Sequence, residues 1–113
     1  MKTLLVANRG EIAVRIMHAA AELRMRTVAV FSEDDEQSLH VRRADRAVAL
    51  RGHGPAAYLD IDQLLSVAAA EGCDALHPGY GFLSESPELA ARVETQGLVF
   101  VGPRPDTLAL LGD

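Results

Sequence analysis

The residues with most chemical potential are gathered in His77-Pro78-Gly79-Tyr80-Gly81-Phe82-Leu83-Ser84-Glu85. Two glycines let this backbone bend and come close to a ligand. Tyr80 offers a hydroxyl and a ring face, and Ser84 and Glu85 offer acceptor oxygens. A lone histidine such as His77 is more often a hydrogen-bonded structural residue than a base. A second candidate is Ala7-Asn8-Arg9-Gly10-Glu11, a glycine-containing turn whose free N–H groups could hold an anion at a helix start. A dinucleotide would require G-x-G-x-x-G there, and only one of those glycines is present, so Glu33, placed like a ribose-binding acid, has no phosphate loop beside it. Asn8 is then expected to accommodate the unusual backbone of a tight turn. A third candidate is Glu11, Arg15, His18 and Glu22, which fall on one line of a helix as either a solvated face or a polar subunit interface. The run Glu33-Asp34-Asp35-Glu36 reads as a solvated loop. There is no G-x-S-x-G, no Walker A loop and no His/Cys/Asp set at metal-ligand spacing. No catalytic residue and no metal ligand is therefore assigned.

These candidates need elements to hold them. Thr3 to Ala7 is a short apolar run typical of a buried parallel strand. A helix follows from about Gly10 to Leu23, with Ile12, Ile16, Ala19, Ala20 and Leu23 as its apolar stripe. Thr27 to Phe31 is rich in β-branched residues and reads as a second strand. Ser38 to Ala44 suits a short helix, Ala47 to Leu50 a weaker third strand, and Arg51 to Ala57 a loop. Asp60 caps a helix over Ile61 to Glu71 that Gly72 ends. Asp74 to Leu76 is a fourth strand, and the His77 to Ser84 loop leaves its carboxyl end. Ser86-Pro87 starts a helix to about Gln96, closed by Gly97. Leu98 to Val101 is a fifth strand, and Asp106 to Leu111 begins one more helix. This alternation predicts a three-layer α/β/α domain with an open, mostly parallel sheet of about five strands, Rossmann-like, with the first strand central.

Composition sets the outer limits. The chain of 113 residues fits one domain, and 49% of it is apolar, so a core can form. With three Phe, two Tyr and no Trp, that core must be built from Ala, Val, Leu and Ile. A net charge of −5 argues against a general nucleic-acid partner, which needs a basic face. Cys73 is the only cysteine, so no internal disulfide or thiolate cluster can form. The sequence offers no signal-peptide core and no membrane span, and the expected location is the cytoplasm.

Taken in order, Leu5-Val6-Ala7-Asn8-Arg9-Gly10-Glu11-Ile12-Ala13, Thr27-Val28-Ala29-Val30-Phe31-Ser32, Tyr58-Leu59-Asp60-Ile61, His77 through Glu85, Phe100-Val101-Gly102-Pro103 and Leu111-Gly112-Asp113 resemble the N-terminal domain of biotin carboxylase. The resemblance covers essentially all of residues 1–113 and is carried most specifically by the ANRGEIA opening and the HPGYGFLSE loop. It implies the pre-ATP-grasp domain of acetyl-CoA, propionyl-CoA or pyruvate carboxylases, ending before the ATP-grasp part. In that family ATP, Mg²⁺ and bicarbonate serve to carboxylate biotin on a carrier domain, which a carboxyltransferase then uses. The resemblance further implies that Tyr80 and Gly81 lie against the ureido ring of biotin and that Glu85 borders the nucleotide side. It places Arg15, His18 and Glu22 on the face of a homodimer. The isolated chain is expected to be inactive and to hold no cofactor by itself. The family often has Arg at the position of His18, and usually Gly after the first helix, where Arg24-Met25 stands here. A stand-alone Rossmann-like binding or scaffold domain is the alternative.

Overall fold

A computed structural model describes residues 1–102. Five strands form one sheet: β1 (Thr3–Val6), β2 (Arg26–Phe31), β3 (Arg46–Ala49), β4 (Ala75–His77) and β5 (Val99–Phe100). Their order is β3-β2-β1-β4-β5 and every pairing is parallel, so β1 is central, as its unbroken apolar character requires. Four α-helices connect them: α1 (Gly10–Glu22), α2 (Leu39–Arg43), α3 (Ile61–Ala70) and α4 (Pro87–Thr95). Single 3₁₀ turns occupy Glu33–Asp35, Pro55–Leu59 and Phe82–Glu85. The expected helix over 106–111 lies outside the described residues.

The alternation of side chains along β1 divides the core into two layers. Leu4 and Val6 face one way and pack with Ala13, Ile16, Met17 and Ala20 of α1. Leu5 and Ala7 face the other way and pack with Leu64, Leu65 and Ala68 of α3 and Leu89 and Val93 of α4. The sheet is thus covered on both faces, as expected. The buried stripe of α1 is Ala13, Ile16, Met17 and Ala20 rather than one led by Ile12, which is exposed. Positions 13, 16, 17 and 20 are spaced i, i+3, i+4 and i+7, and small alanines let the helix approach the sheet closely.

Three helices finish in the same way. In α3 the Gly72 N–H bonds to the Ala69 carbonyl and the Cys73 N–H to Ala68, and in α4 Gly97 and Leu98 repeat the pattern on Glu94 and Val93. This paired arrangement needs a left-handed residue, which glycine supplies without cost to a Cβ. In α1 the same two bonds run from Arg24 to Ala21 and from Met25 to Ala20, and Arg24 takes up φ 59°. The helix keeps its motif and the arginine carries the strain. At the other ends, the Asp60 and Ser86 side chains accept from the Gln63 and Leu89 N–H groups, as their cap positions predicted.

Candidate functional site

In a parallel sheet with helices on both faces, ligands meet the carboxyl ends of the strands. At this edge β1 runs into Asn8-Arg9-Gly10, β2 into Ser32–Asp35, and β4 into Pro78–Gly81. Gly10, not Asn8, holds the left-handed conformation of the first turn, at φ 65°. Asn8 instead works through its carboxamide. Its Oδ1 accepts from the Arg9 N–H at 2.7 Å and its Nδ2 donates to the Pro78 carbonyl at 2.8 Å. The amide therefore bridges the loops that follow β1 and β4.

The acidic run is not simply solvated. Asp35 is buried, at 6% exposure, while Glu33, Asp34 and Glu36 are exposed. Arg9 donates to both oxygens of Asp35, Nε to Oδ2 at 2.7 Å and a terminal nitrogen to Oδ1 at 2.8 Å. The Tyr58 hydroxyl donates to Oδ2 at 2.7 Å and accepts from the Ser32 N–H at 3.1 Å. Ser32 and Ser38 add further hydrogen bonds. The Arg9 guanidinium also lies 5.9 Å from the centre of the Tyr58 ring, within cation–π range. A planar fork matched to a carboxylate is the strongest form of such a pair. It holds the Asp35 carboxyl well below the usual carboxylate range, Arg9 contributing most. The sequence reading placed Arg9 in a candidate turn and Asp35 in a solvated run but did not bring them together with Tyr58. The Ser32-x-x-Asp35 spacing, a turn-start pattern, was the available signal.

His77 is the last residue of β4 rather than part of the loop, and it is fully buried. Its Nδ1 accepts from the Gly79 N–H at 3.0 Å, so the ring is neutral, with any proton on Nε2. Burial pushes its pKa down to about 4. The structural role that the sequence favoured for His77 is the one it has. Tyr80 stands edge-on to this imidazole, with ring centres 5.3 Å apart, and remains 46% exposed. Gly81 borders a cavity of about 260 Å³ with Arg9, Tyr58, Pro78 and Leu83. Ser84 is buried and Glu85 exposed, so only the second presents its polar atoms to solvent.

The charged line on α1 is a separate feature. Arg15 pairs with Glu11 at 3.2 Å and His18 with Glu22 at 3.5 Å, the second an ion pair only when the imidazole is protonated. All four side chains are at least 70% exposed. Arg15 and His18 border a groove of about 400 Å³ between α1 and α2, which Arg43 closes on the far side. The structure thus brings Tyr80, Gly81 and Glu85 together on one loop and keeps Arg15, His18 and Glu22 on another surface. Among the described residues no helix is long and apolar enough to cross a membrane.

The family model for the N-terminal domain of biotin carboxylase matches residues 1–108. A putative urea carboxylase of Emericella nidulans is 50% identical over 99% of this chain, which covers 9% of that protein. The biotin-dependent acyl-coenzyme A carboxylase alpha3 subunit of Mycobacterium leprae is also 50% identical, over 97% of this chain and 19% of its own length. Among solved structures, the biotin carboxylase domain of a single-chain bacterial carboxylase superposes with a TM-score of 0.88 and 56% identity over 97% of this chain and 26% of that one. The chain therefore spans only a small part of these relatives. Urea carboxylase lies outside the acyl-CoA and pyruvate branches anticipated from the sequence. The sheet order, the loop after β4 and these likenesses agree, and the chain belongs to the biotin carboxylase N-terminal domain family.

Proposed function

We propose that this chain acts as the N-terminal, pre-ATP-grasp domain of a biotin carboxylase, within a larger acyl-CoA, pyruvate or urea carboxylase. The full enzyme would couple ATP and bicarbonate to the carboxylation of biotin on a carrier domain, in the cytoplasm, and hand the product to a carboxyltransferase. Mg²⁺ and the nucleotide would be held by the ATP-grasp part of the full enzyme. The isolated chain is accordingly expected to be inactive.

The observation that carries the reading is the loop after β4. A half-exposed tyrosine is held edge-on to a buried neutral imidazole at the carboxyl edge of the sheet, next to Gly81. That arrangement offers a flat, partly apolar ring and open backbone to a planar heterocycle such as the ureido ring of biotin, with Glu85 farther along toward the nucleotide side. Arg15, His18 and Glu22 would form part of a homodimer face, where exposed charges set orientation more than affinity. The test of the loop is Tyr80→Phe in the complete carboxylase. It removes the hydroxyl and leaves the ring, so biotin carboxylation should fall with little change in the KM for ATP. Unchanged kinetics toward biotin would reduce Tyr80 to a packing residue.

A further inference from the structure

We propose that Asn8 is a positioning residue for the Tyr80–Gly81 loop, its carboxamide tying the turn after β1 to the Pro78 carbonyl and so fixing where the Tyr80 ring stands. The inference rests on the reading of that loop as the one that meets biotin.

The loop is gripped at three consecutive residues. Asn8 donates to the Pro78 carbonyl at 2.8 Å. His77 accepts from the Gly79 N–H at 3.0 Å. The Tyr80 ring stands against the His77 ring. The contact with Asn8 is close enough to dictate the next residue. A Cβ on Gly79 would lie 2.1 Å from Asn8 Nδ2, and Gly79 is at φ 91°, where side chains are strained in any case. Glycine is thus required at 79 both by the backbone conformation and by the amide packed over it.

The orientation of the amide is fixed by its partners. An N–H can only donate to Oδ1 and a carbonyl can only accept from Nδ2, so a flipped amide would lose both bonds. Asn8 itself is fixed from behind. The backbone of Arg9 supplies one of its bonds, and the Arg9 side chain is held by both oxygens of buried Asp35. Rigidity at the end of β2 is in this way passed through the turn after β1 to the loop after β4. A tyrosine almost half in solvent owes its place to these contacts rather than to burial.

The test uses the complete carboxylase. Asn8→Asp keeps the oxygen that accepts from Arg9 and removes the donor to Pro78. Asn8→Ser removes that donor without adding charge, and serves where the first variant does not accumulate. Tyr80→Ala is measured in parallel, with free biotin and ATP as varied substrates and hydrogen–deuterium exchange followed over residues 77–84. Loss of one bridging hydrogen bond should raise the KM for biotin about tenfold and exchange at the Gly79 amide about fivefold or more, with the KM for ATP moving by less than about twofold. Equal rises in both KM values, or wild-type exchange together with a wild-type biotin KM, would overturn the assignment of Asn8. If Tyr80→Ala raises the biotin KM and the Asn8 variants change nothing, this inference fails alone. If the Asn8 variants loosen the loop but Tyr80→Ala leaves biotin kinetics untouched, Asn8 does position the loop and the biotin reading of it fails.

Discussion

Two arginines of the first helix region make ion pairs of opposite character. Arg9 meets Asp35 through two short hydrogen bonds, and the carboxylate is nearly sealed from water and further held by Tyr58 and Ser32. Arg15 meets Glu11 through one longer contact, with both side chains more than 70% exposed. In water the attraction between unit charges is about 1 kcal/mol at contact, and ordering two long side chains offsets much of it. At a buried carboxylate the same attraction is stronger, and each lost partner leaves a polar group without solvent. Charge type and spacing alone therefore say little about what a pair does. The environment of the less exposed partner decides.

The largest expected effect breaks the buried member. Asp35→Ala removes the acceptor of Arg9, Tyr58 and two serines, and should cost about 3 kcal/mol in urea unfolding. A loss no larger than that of Glu11→Gln would erase the contrast between the two regions. The acid branch of the stability curve carries the sign. The Asp35 carboxyl titrates lower in the folded chain than in the unfolded one, so its contribution is complete above the ordinary carboxylate value of about 3.9 and is withdrawn as pH falls below it.

His77 titrates earlier. Folding holds it neutral, with a pKa of about 4. The unfolded chain takes up a proton near 6.5 and the folded one does not, so stability falls as pH drops from about 6.5 toward 4. At pH 5 the loss should be about 2 kcal/mol relative to pH 8, and His77→Gln should flatten that part of the curve. Parallel curves for the two proteins would show that the buried edge of the sheet is not the acid-sensitive region. The next effect is smaller and of opposite sign. Arg24 is exposed, yet its backbone is left-handed. Arg24→Gly should stabilise the chain by about 0.5–1 kcal/mol, part of the relieved strain being offset by the greater freedom of glycine when unfolded. A destabilised variant would show that the arginine side chain holds that helix end. The smallest effect belongs to the outer face. Glu11→Gln should move Tm by about a degree or less, and 1 M salt should abolish the difference.

Much of the architecture was legible because it rests on local chemistry. The apolar β1, the caps at Asp60 and Ser86, and the closing Gly72 and Gly97 each announce themselves within a few residues. Of the expected α1 stripe, Ile16 and Ala20 are buried and Ala19 and Leu23 pack against the same cluster; only Ile12 faces outward, and Ala13 and Met17 take the remaining core positions. The Asp35 network was not legible. A run of four acids looks the same whether or not one is buried, and the partners that bury it stand 26 and 23 positions away. The same holds for the amide of Asn8, whose acceptor is 70 residues distant. The HPGYGFLSE loop was found because its composition is unusual, but the reason for Gly79 is visible only once Asn8 lies over it.

The place of β1 in the sheet has a consequence for the order of assembly. It is the sole strand shared by two halves, with β2 and β3 on one side and β4 and β5 on the other. The first half closes through one short crossover, pairing Thr3 with Arg26. The second must bring Asp74 back to Thr3 across 71 residues. Closing the longer loop costs more chain entropy, and contacts of high sequence separation slow folding. The β1–α1–β2 unit should therefore form first and present the open edge of β1 as a template. The strand that leads into the His77–Gly81 loop docks afterwards, so the candidate site is among the last parts of the chain to take shape.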